Sequence, residues 1–352
     1  KLALPTAFAV PSDTPSKDIG RRPLPATGPY MIASYVPGRQ LRLVRNPRFR
    51  EWARAAQPDG YPDEVVVKLS VPVAAQLRAV ARGEADFANL TLSGASEIAE
   101  LRARYGNRLH SSPGAFVVYA FLNTHLAPFD DIRVRRALNY AVDREAVVRA
   151  FGGPDRASPS CQILPANYPG YRPYCPYDGD LAEARRLVAA SGTRKTPVVV
   201  WTRASYERFF SHVVRALRAL GYPARLKVVD DIAYYDELAK AGPGKVQAGY
   251  LGWSAALPSA GEFIESLLDF VGPQSQFSDA SVRREIERAL DLQQTDPLAA
   301  NEVWARVDQM LVERAPLVPL YNARAALFVS ERVGNYQFHP LWNVLLDQLW
   351  VR

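Results

Sequence analysis

The sequence predicts an α/β protein of more than one domain or lobe. A chain of 352 residues is too long for one ordinary hydrophobic core. From about residue 117 onward, short β-branched runs alternate with segments of helical periodicity, the pattern of an α/β layered lobe. The composition, 48% hydrophobic and 22% charged, is that of a globular protein and not of a disordered chain.

The first readable unit is the hairpin Gly28–Arg45. Ile32, Leu41 and Leu43 alternate with polar residues on either side of the turn dipeptide Pro37-Gly38. Glu64–Leu69 reads as a strand, Val73–Ala81 as a helix stopped by Gly83, and Asp86–Leu90 as a short strand. After the extended run Val117–Asn123, Asp130 or Asp131 caps a helix whose Val134, Ala137, Leu138 and Ala141 follow the i, i+3, i+4, i+7 rule. Asp178 precedes a helix carrying Leu181, Ala184, Leu187 and Val188, stopped by Gly192. Strand Val198–Trp201, helix Phe209–Leu220, strand Leu226–Val229, helix Tyr234–Ala239 and strand Val246–Trp253 follow. Two further helices fit Val282–Leu290 and Ala300–Glu313, after which the chain is extended through Leu320–Val329.

Several function classes recede on the sequence alone. The net charge of +7 comes from scattered arginines and not from basic blocks, which argues against nucleic-acid binding. No run approaches the roughly 20 apolar residues that cross a bilayer. The histidines, His110, His125, His212 and His339, lie far apart, and no nucleophile, metal or phosphate-loop motif is present. The paired acids Asp130-Asp131 and Asp230-Asp231 sit at element boundaries, where capping accounts for them. No catalytic set, metal site or cofactor is therefore expected. Lys1–Ala9 has a superficial likeness to a signal peptide, but it is short, contains Pro5 and lacks an initiator Met, so a strand or loop is the plainer reading.

The only cysteines, Cys161 and Cys175, fit neither a zinc ligand set nor a redox Cys-x-x-Cys motif. Two readings stand: a pair of unrelated buried thiols, or a disulfide. A bridge closing a loop of ~15 residues would contribute about 3 kcal/mol and favour an oxidising compartment.

Several segments together resemble the bacterial extracellular solute-binding proteins of family 5, which include oligopeptide-, dipeptide- and nickel-binding receptors of ABC importers. Ala26-Thr-Gly-Pro-Tyr30 and Arg45-Asn-Pro47 look like that family's first-lobe strand and its continuation, and Arg82-Gly-Glu-Ala-Asp86 is similar to a family turn. The most specific match is Pro128-Phe-Asp-Asp-Ile-Arg-Val-Arg-Arg-Ala-Leu-Asn-Tyr-Ala-Val-Asp-Arg144. Leu164-Pro165, Pro169-Gly-Tyr171, Tyr177-Asp178 and Ala315–Tyr321 follow in family order. Members carry a substantial portion ahead of the Gly-Pro-Tyr strand, whereas here only residues 1–25 precede Ala26, so the first lobe is expected to be incomplete.

The resemblance implies a two-lobed periplasmic-binding-protein-like fold of type II, cluster C. Residues 1–117 and 323–352 would form a partial first lobe and 118–322 a second α/β lobe, with hinge crossovers near 117–123 and 319–326. It also implies a ligand, a peptide or another small molecule, closed between lobes and handed to ABC permease subunits. The location would be extracytoplasmic, with membrane attachment only through an anchor outside this chain. The ligand residues implied by position are Tyr119, Phe121 and Asn123 on the first crossover, Trp201 and Arg203 at a strand end, and Tyr250, Gly252, Trp253 and Ser254 at the family's Gly-Trp segment. Tyr321 lies on the return crossover. Ala256 stands where peptide-binding members place an Asp that pairs with the ligand ammonium. A buried ammonium without a charge partner costs several kcal/mol, so free-N-terminus peptides are expected to be poor ligands. Glu262 and Asp236 are candidate substitutes. A second reading, the ligand-sensing domain of a regulatory protein, is separated from the first by the state of the two cysteines.

Overall fold

The computed structural model describes residues 10–17, 19–54, 58–90 and 95–352. The likeness to a signal peptide at Lys1–Ala9 lies outside them. The chain divides into two compact units. One comprises the described part of Lys1–Ser93, Glu97–Ser112 and Ala325–Arg352; the other is essentially Pro113–Arg324.

The first unit begins with an antiparallel sheet, β1 (Tyr30–Val36), β2 (Gln40–Arg45) and β3 (Glu64–Lys68), in the order β1-β2-β3. Gly38 holds a φ of +70°, which the hairpin turn requires and a side chain resists. Helix α1 (Val73–Ala81), strand β4 (Phe87–Asn89) and helix α2 (Ala95–Tyr105) follow. Val80, Ala88, Leu90, Ile98, Leu101, Leu109, Ala326 and Phe328 form this unit's core.

Strand β5 (Leu109–Leu122) runs from the first unit into the second. There α3 (Ile132–Ala141), α4 (Arg144–Phe151), the short strand β6 (Ala157–Pro159) and α5 (Leu181–Ser191) lead to β7 (Val198–Arg203), α6 (Glu207–Ala219), β8 (Ala224–Val229), α7 (Tyr234–Ala241) and β9 (Ala248–Trp253). The helices α8 (Ala260–Ser275), α9 (Ala280–Thr295) and α10 (Pro297–Arg314) precede β10 (Leu317–Val329), which returns to the first unit. The chain closes there with four short strands, β11 (Val333–Gly334), β12 (Phe338–His339), β13 (Asn343–Val344) and β14 (Trp350–Val351).

In the second unit the strand order is β10-β5-β9-β7-β8, with β6 on β10. β7 is parallel to both β8 and β9, while β5 runs antiparallel to β9 from Val117↔Trp253 to Leu122↔Ala248. The parallel part follows from the βαβ alternation, since parallel neighbours need a crossover helix. The helix that the sequence placed after Asp178 is capped instead by Asp180, whose carboxylate accepts from Glu183 N at 2.9 Å. Between Asp130 and Asp131, Asp131 is the cap of α3.

The long Pro128–Arg144 segment has a structural explanation. Asp143 caps α4, and Arg135, Asn139 and Arg144 are buried. Arg135 donates to the carbonyls of Phe129 (2.8 Å) and Arg314 (3.0 Å). Arg144 donates to the carbonyls of Ser160 (2.9 Å), Pro319 (2.8 Å) and Asn139 (2.8 Å) and to Asn139 Oδ1 (2.9 Å). Asn139 reaches the Leu317 carbonyl at 3.2 Å. These side chains tie α3 and α4 to the start of β10, satisfying carbonyls that the interior would otherwise leave unpaired.

Candidate functional site

Open α/β sheets bind ligands beyond the carboxyl ends of their parallel strands. In the second unit those ends are Arg203 of β7, Val229 of β8 and Trp253 of β9. Around them lies an apolar and aromatic surface. Trp253 packs on Phe270 of α8 with ring centroids 5.1 Å apart, and Phe270 meets Tyr235 of α7 at 5.7 Å. Phe270, Tyr235 and Ile232 stand exposed, Ile232 at 92%. Trp253 Nε1 is buried with no hydrogen-bond partner in the protein.

A second group lies beneath the same strand ends. Tyr250 stacks with Tyr206 at 4.2 Å, and the Arg203 guanidinium lies 5.7 Å from the Tyr250 ring and 5.8 Å from that of Tyr206. Asp231 pairs with Arg203 at 3.4 Å and accepts from Ser205 N and Oγ at 3.1 and 2.9 Å. Burial works against its charge, but these partners win and hold its carboxyl below the usual range. Asp230 accepts from Ile232 N at 2.9 Å, so both acids of this pair have local structural partners. Gly252 is required by close approach: a Cβ there would run into the Tyr250 hydroxyl and the Phe116 ring.

The residues predicted from the sequence fall into two sets. Arg203, Tyr250, Gly252, Trp253 and Ser254 converge on the strand ends. Ser254 and Ala256 are exposed, on a loop closed by Glu262, whose Oε1 accepts from Ala256 N at 3.3 Å and Oε2 from Leu257 N at 3.4 Å. Trp201 is half-buried beneath Lys227, whose Nζ lies 3.3 Å from the ring centroid. Tyr119, Phe121 and Asn123 are core residues of the second unit. Tyr119 donates to the Ile163 carbonyl, Phe121 packs on Gly249, and Asn123 donates to the Val246 carbonyl at 3.2 Å. Alternation along β5 does put Tyr119 and Phe121 on one face, but that face is interior. Tyr321 is also fully buried, yet its hydroxyl has no partner. Asp236 is exposed on α7.

Tyr206, Tyr235 and Phe270 were not singled out in the sequence. Phe270 sits on α8, which carries Pro273 and two glycines and so gives no clean helical signal. A separate cavity of about 620 Å³ opens in the second unit beside α3, α4 and α6, lined by Tyr140, Arg144, Tyr177, His212 and Arg215. The ligand residues expected from the sequence do not line it, but Cys161 and Cys175 do. Those cysteines are bonded to each other, with Cα atoms 5.6 Å apart. Among the described residues no group of three or more His, Cys, Asp or Glu side chains could hold a metal ion.

Comparison with known proteins places this architecture. The family model described as bacterial extracellular solute-binding proteins, family 5 middle, matches residues 2–274, and the chain belongs to that family. Among curated relatives, a glutathione-binding protein of Salmonella typhimurium is 26% identical over 338 residues, covering 92% of this chain and 64% of that protein. Heme-binding protein A of Haemophilus influenzae is 22% identical over 326 residues, covering 89% and 57%. Among solved structures, a clavulanic acid biosynthesis oligopeptide binding protein 2 superposes with a TM-score of 0.84 at 25% identity, covering 98% of this chain and 66% of that one. The periplasmic binding protein DppA of Helicobacter pylori, in complex with the peptide STSA, gives 0.72 at 18%, covering 92% and 62%. The chain thus spans less than two thirds of the length of these relatives.

Proposed function

We propose that this protein is the extracytoplasmic solute-binding component of an ABC importer, capturing a small or peptide-like ligand at the strand ends of the second unit and presenting it to permease subunits. The observation that carries the reading is the Trp253–Phe270–Tyr235 surface with its unpartnered indole N–H, in a chain of this family. Trp253 and Phe270 would stack on the apolar part of the ligand, and Nε1 would donate to a ligand carbonyl.

In this reading the two units act as lobes, and β5 and β10, the strands that pass between them, serve as the crossovers. A ligand touching both lobes only in the closed form shifts the open–closed population by its differential affinity. The Cys161–Cys175 bridge supports export over a cytoplasmic sensor, because disulfides persist in oxidising compartments. Membrane attachment through an anchor outside this chain belongs to the same proposal; among the described residues no helix is long and apolar enough to cross a membrane.

The test is calorimetric titration with reduced glutathione and with pools of di- to pentapeptides, free or acetylated at the N-terminus. Binding at a micromolar Kd or tighter is expected for one of these classes, with Trp253→Ala weakening it at least tenfold. Acetylation should cost little, because Ala256 offers no charge and the nearby Glu262 carboxylate is engaged by backbone N–H groups. A strict requirement for a free ammonium would overturn that second expectation, and binding untouched by Trp253→Ala would remove the site.

A further inference from the structure

The cavity of about 620 Å³ beside α3, α4 and α6 is lined by none of Arg203, Trp253 and Phe270. Small-molecule sites span roughly 300–1,000 Å³, so it has the volume of one. Its walls are fixed without an occupant. The Cys161–Cys175 bridge closes one side. Tyr177 donates to the Val312 carbonyl at 2.7 Å and meets the Tyr140 ring edge-on at 5.0 Å. Arg144 is held by the carbonyls of Ser160, Pro319 and Asn139. Side chains held beforehand lose little freedom when a ligand arrives.

The charges around this cavity fall into two sets. Arg144 and Asp143 are committed to the protein: the Asp143 carboxylate accepts from Ala146 N at 2.8 Å and lies 3.7 Å from Arg149. Glu145 at the start of α4, Asp178 ahead of α5 and Arg215 on α6 are exposed, and none of the three has an ion-pair partner among the described residues. Burial and the neighbouring Arg215 guanidinium hold the His212 imidazole below its usual range, so Arg215 is the charge that α6 presents at neutral pH. A plain anion entering here would meet the two carboxylates, and a plain cation the guanidinium. A molecule bearing both charges satisfies both walls, and its apolar part meets Tyr140 and the disulfide.

We propose that this cavity is a second ligand site, taking a small zwitterion of the amino-acid class with its carboxylate on Arg215 and its ammonium toward Glu145 and Asp178. It is separate from the strand-end surface and does not depend on the transport reading. A guanidinium suits a carboxylate because it can donate two parallel hydrogen bonds to it. Exposed ion pairs are individually weak, so recognition requires both ends of the molecule together.

The probes are L-leucine and L-phenylalanine, each beside its N-acetylated and its C-amidated form, titrated by calorimetry into the whole chain and into Trp253→Ala. One free amino acid should bind with a Kd below about 1 mM, equally in both proteins and at least tenfold tighter than either blocked form. Arg215→Gln should bring it down to the level of its amide, and Glu145→Gln combined with Asp178→Asn to that of its N-acetyl form. Ala219→Trp, at an exposed position lining the cavity, should block binding outright. These positions are exposed, so each variant should keep its melting temperature within about two degrees. Free and blocked forms that bind alike, binding that survives Arg215→Gln and Ala219→Trp, or no binding by any probe overturns the second site. Binding lost with Trp253→Ala places the amino acid at the strand ends and overturns it as well. The strand-end reading keeps its own test in every one of these outcomes.

Discussion

At the residue scale, Arg144 shows how a family hallmark can be structural. Burial pulls its guanidinium down to about 10, still protonated at neutral pH, and it donates to oxygens of Ser160, Pro319 and Asn139. Arg144→Leu would strand those acceptors in the interior, where each unpaired group costs about 1–3 kcal/mol. The expected loss is about 3 kcal/mol or more in urea unfolding followed by circular dichroism, with ligand affinity per folded molecule unchanged. Gly252→Ala should act on both: displacement of Tyr250 or Phe116 lowers the stability of the fold, read by urea unfolding, and weakens binding at least tenfold, read by calorimetry. The sequence singled out Arg203 as a strand end and Gly252 and Trp253 by resemblance to the family's Gly-Trp segment, and the structure sets all three at the ends of β7 and β9. The sequence could not separate Tyr119 and Phe121 from a ligand surface, because alternation says which residues share a face and not whether that face is covered.

Among the elements, the segment from Ser160 to Cys175 carries two unlike restraints beyond the ties from Arg144 and Tyr119. One is the Cys161–Cys175 bridge, closing a separation of 14 residues. Replacing both cysteines by serine should cost about 3 kcal/mol on the chain-entropy account, measurable as a lower urea midpoint. The other is Asp308 of α10, whose carboxylate accepts from Ile163 N and Gln162 Nε2, both at 2.9 Å. Burial outweighs these hydrogen bonds and pushes its carboxyl up from 3.8 to about 6. A native state that holds this proton more tightly than the unfolded chain loses stability as pH rises from about 4 to about 6, by up to about 3 kcal/mol. Asp308→Asn should flatten that part of the profile in unfolding series run between pH 4 and 7; an unchanged slope would remove Asp308 as its cause. Sequence periodicity gave β1, β2, α1, α3 and the β7–β9 alternation to within a few residues. It missed α2, α4 and α8: α4 has only eight residues, and α8 carries Gly261, Gly272 and Pro273. The ring that completes the aromatic surface, Phe270, was lost with α8.

For the whole molecule, length and the two extended apolar segments led to an expectation of lobes over 1–117 with 323–352 and over 118–322. The two compact units meet chiefly between residues 112 and 113 and between 324 and 325. The functional reading at this scale concerns population: ligand should reduce the radius of gyration in small-angle scattering and raise the melting temperature together. Stabilisation without compaction would keep the site and discard the closing motion. Such coupling was not legible in composition or charge, which exclude function classes but do not choose a ligand.

The hydrogen bonds of Arg144 and Arg135 have one more consequence, which concerns acid. Carbonyl oxygens do not titrate in the biological range, and a guanidinium keeps its proton throughout it. Attachments of this kind survive acidification that would neutralise an ion pair. Asp279 of the α9 cap is different: hydrogen bonding from the Ser281 hydroxyl, with Arg314 adding to it against the effect of burial, holds its carboxyl far below 3.8. Its contribution is complete above that value and drains away as the solution falls below it. Loosening at low pH is therefore expected to begin where α9 meets the end of α10, while the joint between α3, α4 and β10 stays closed.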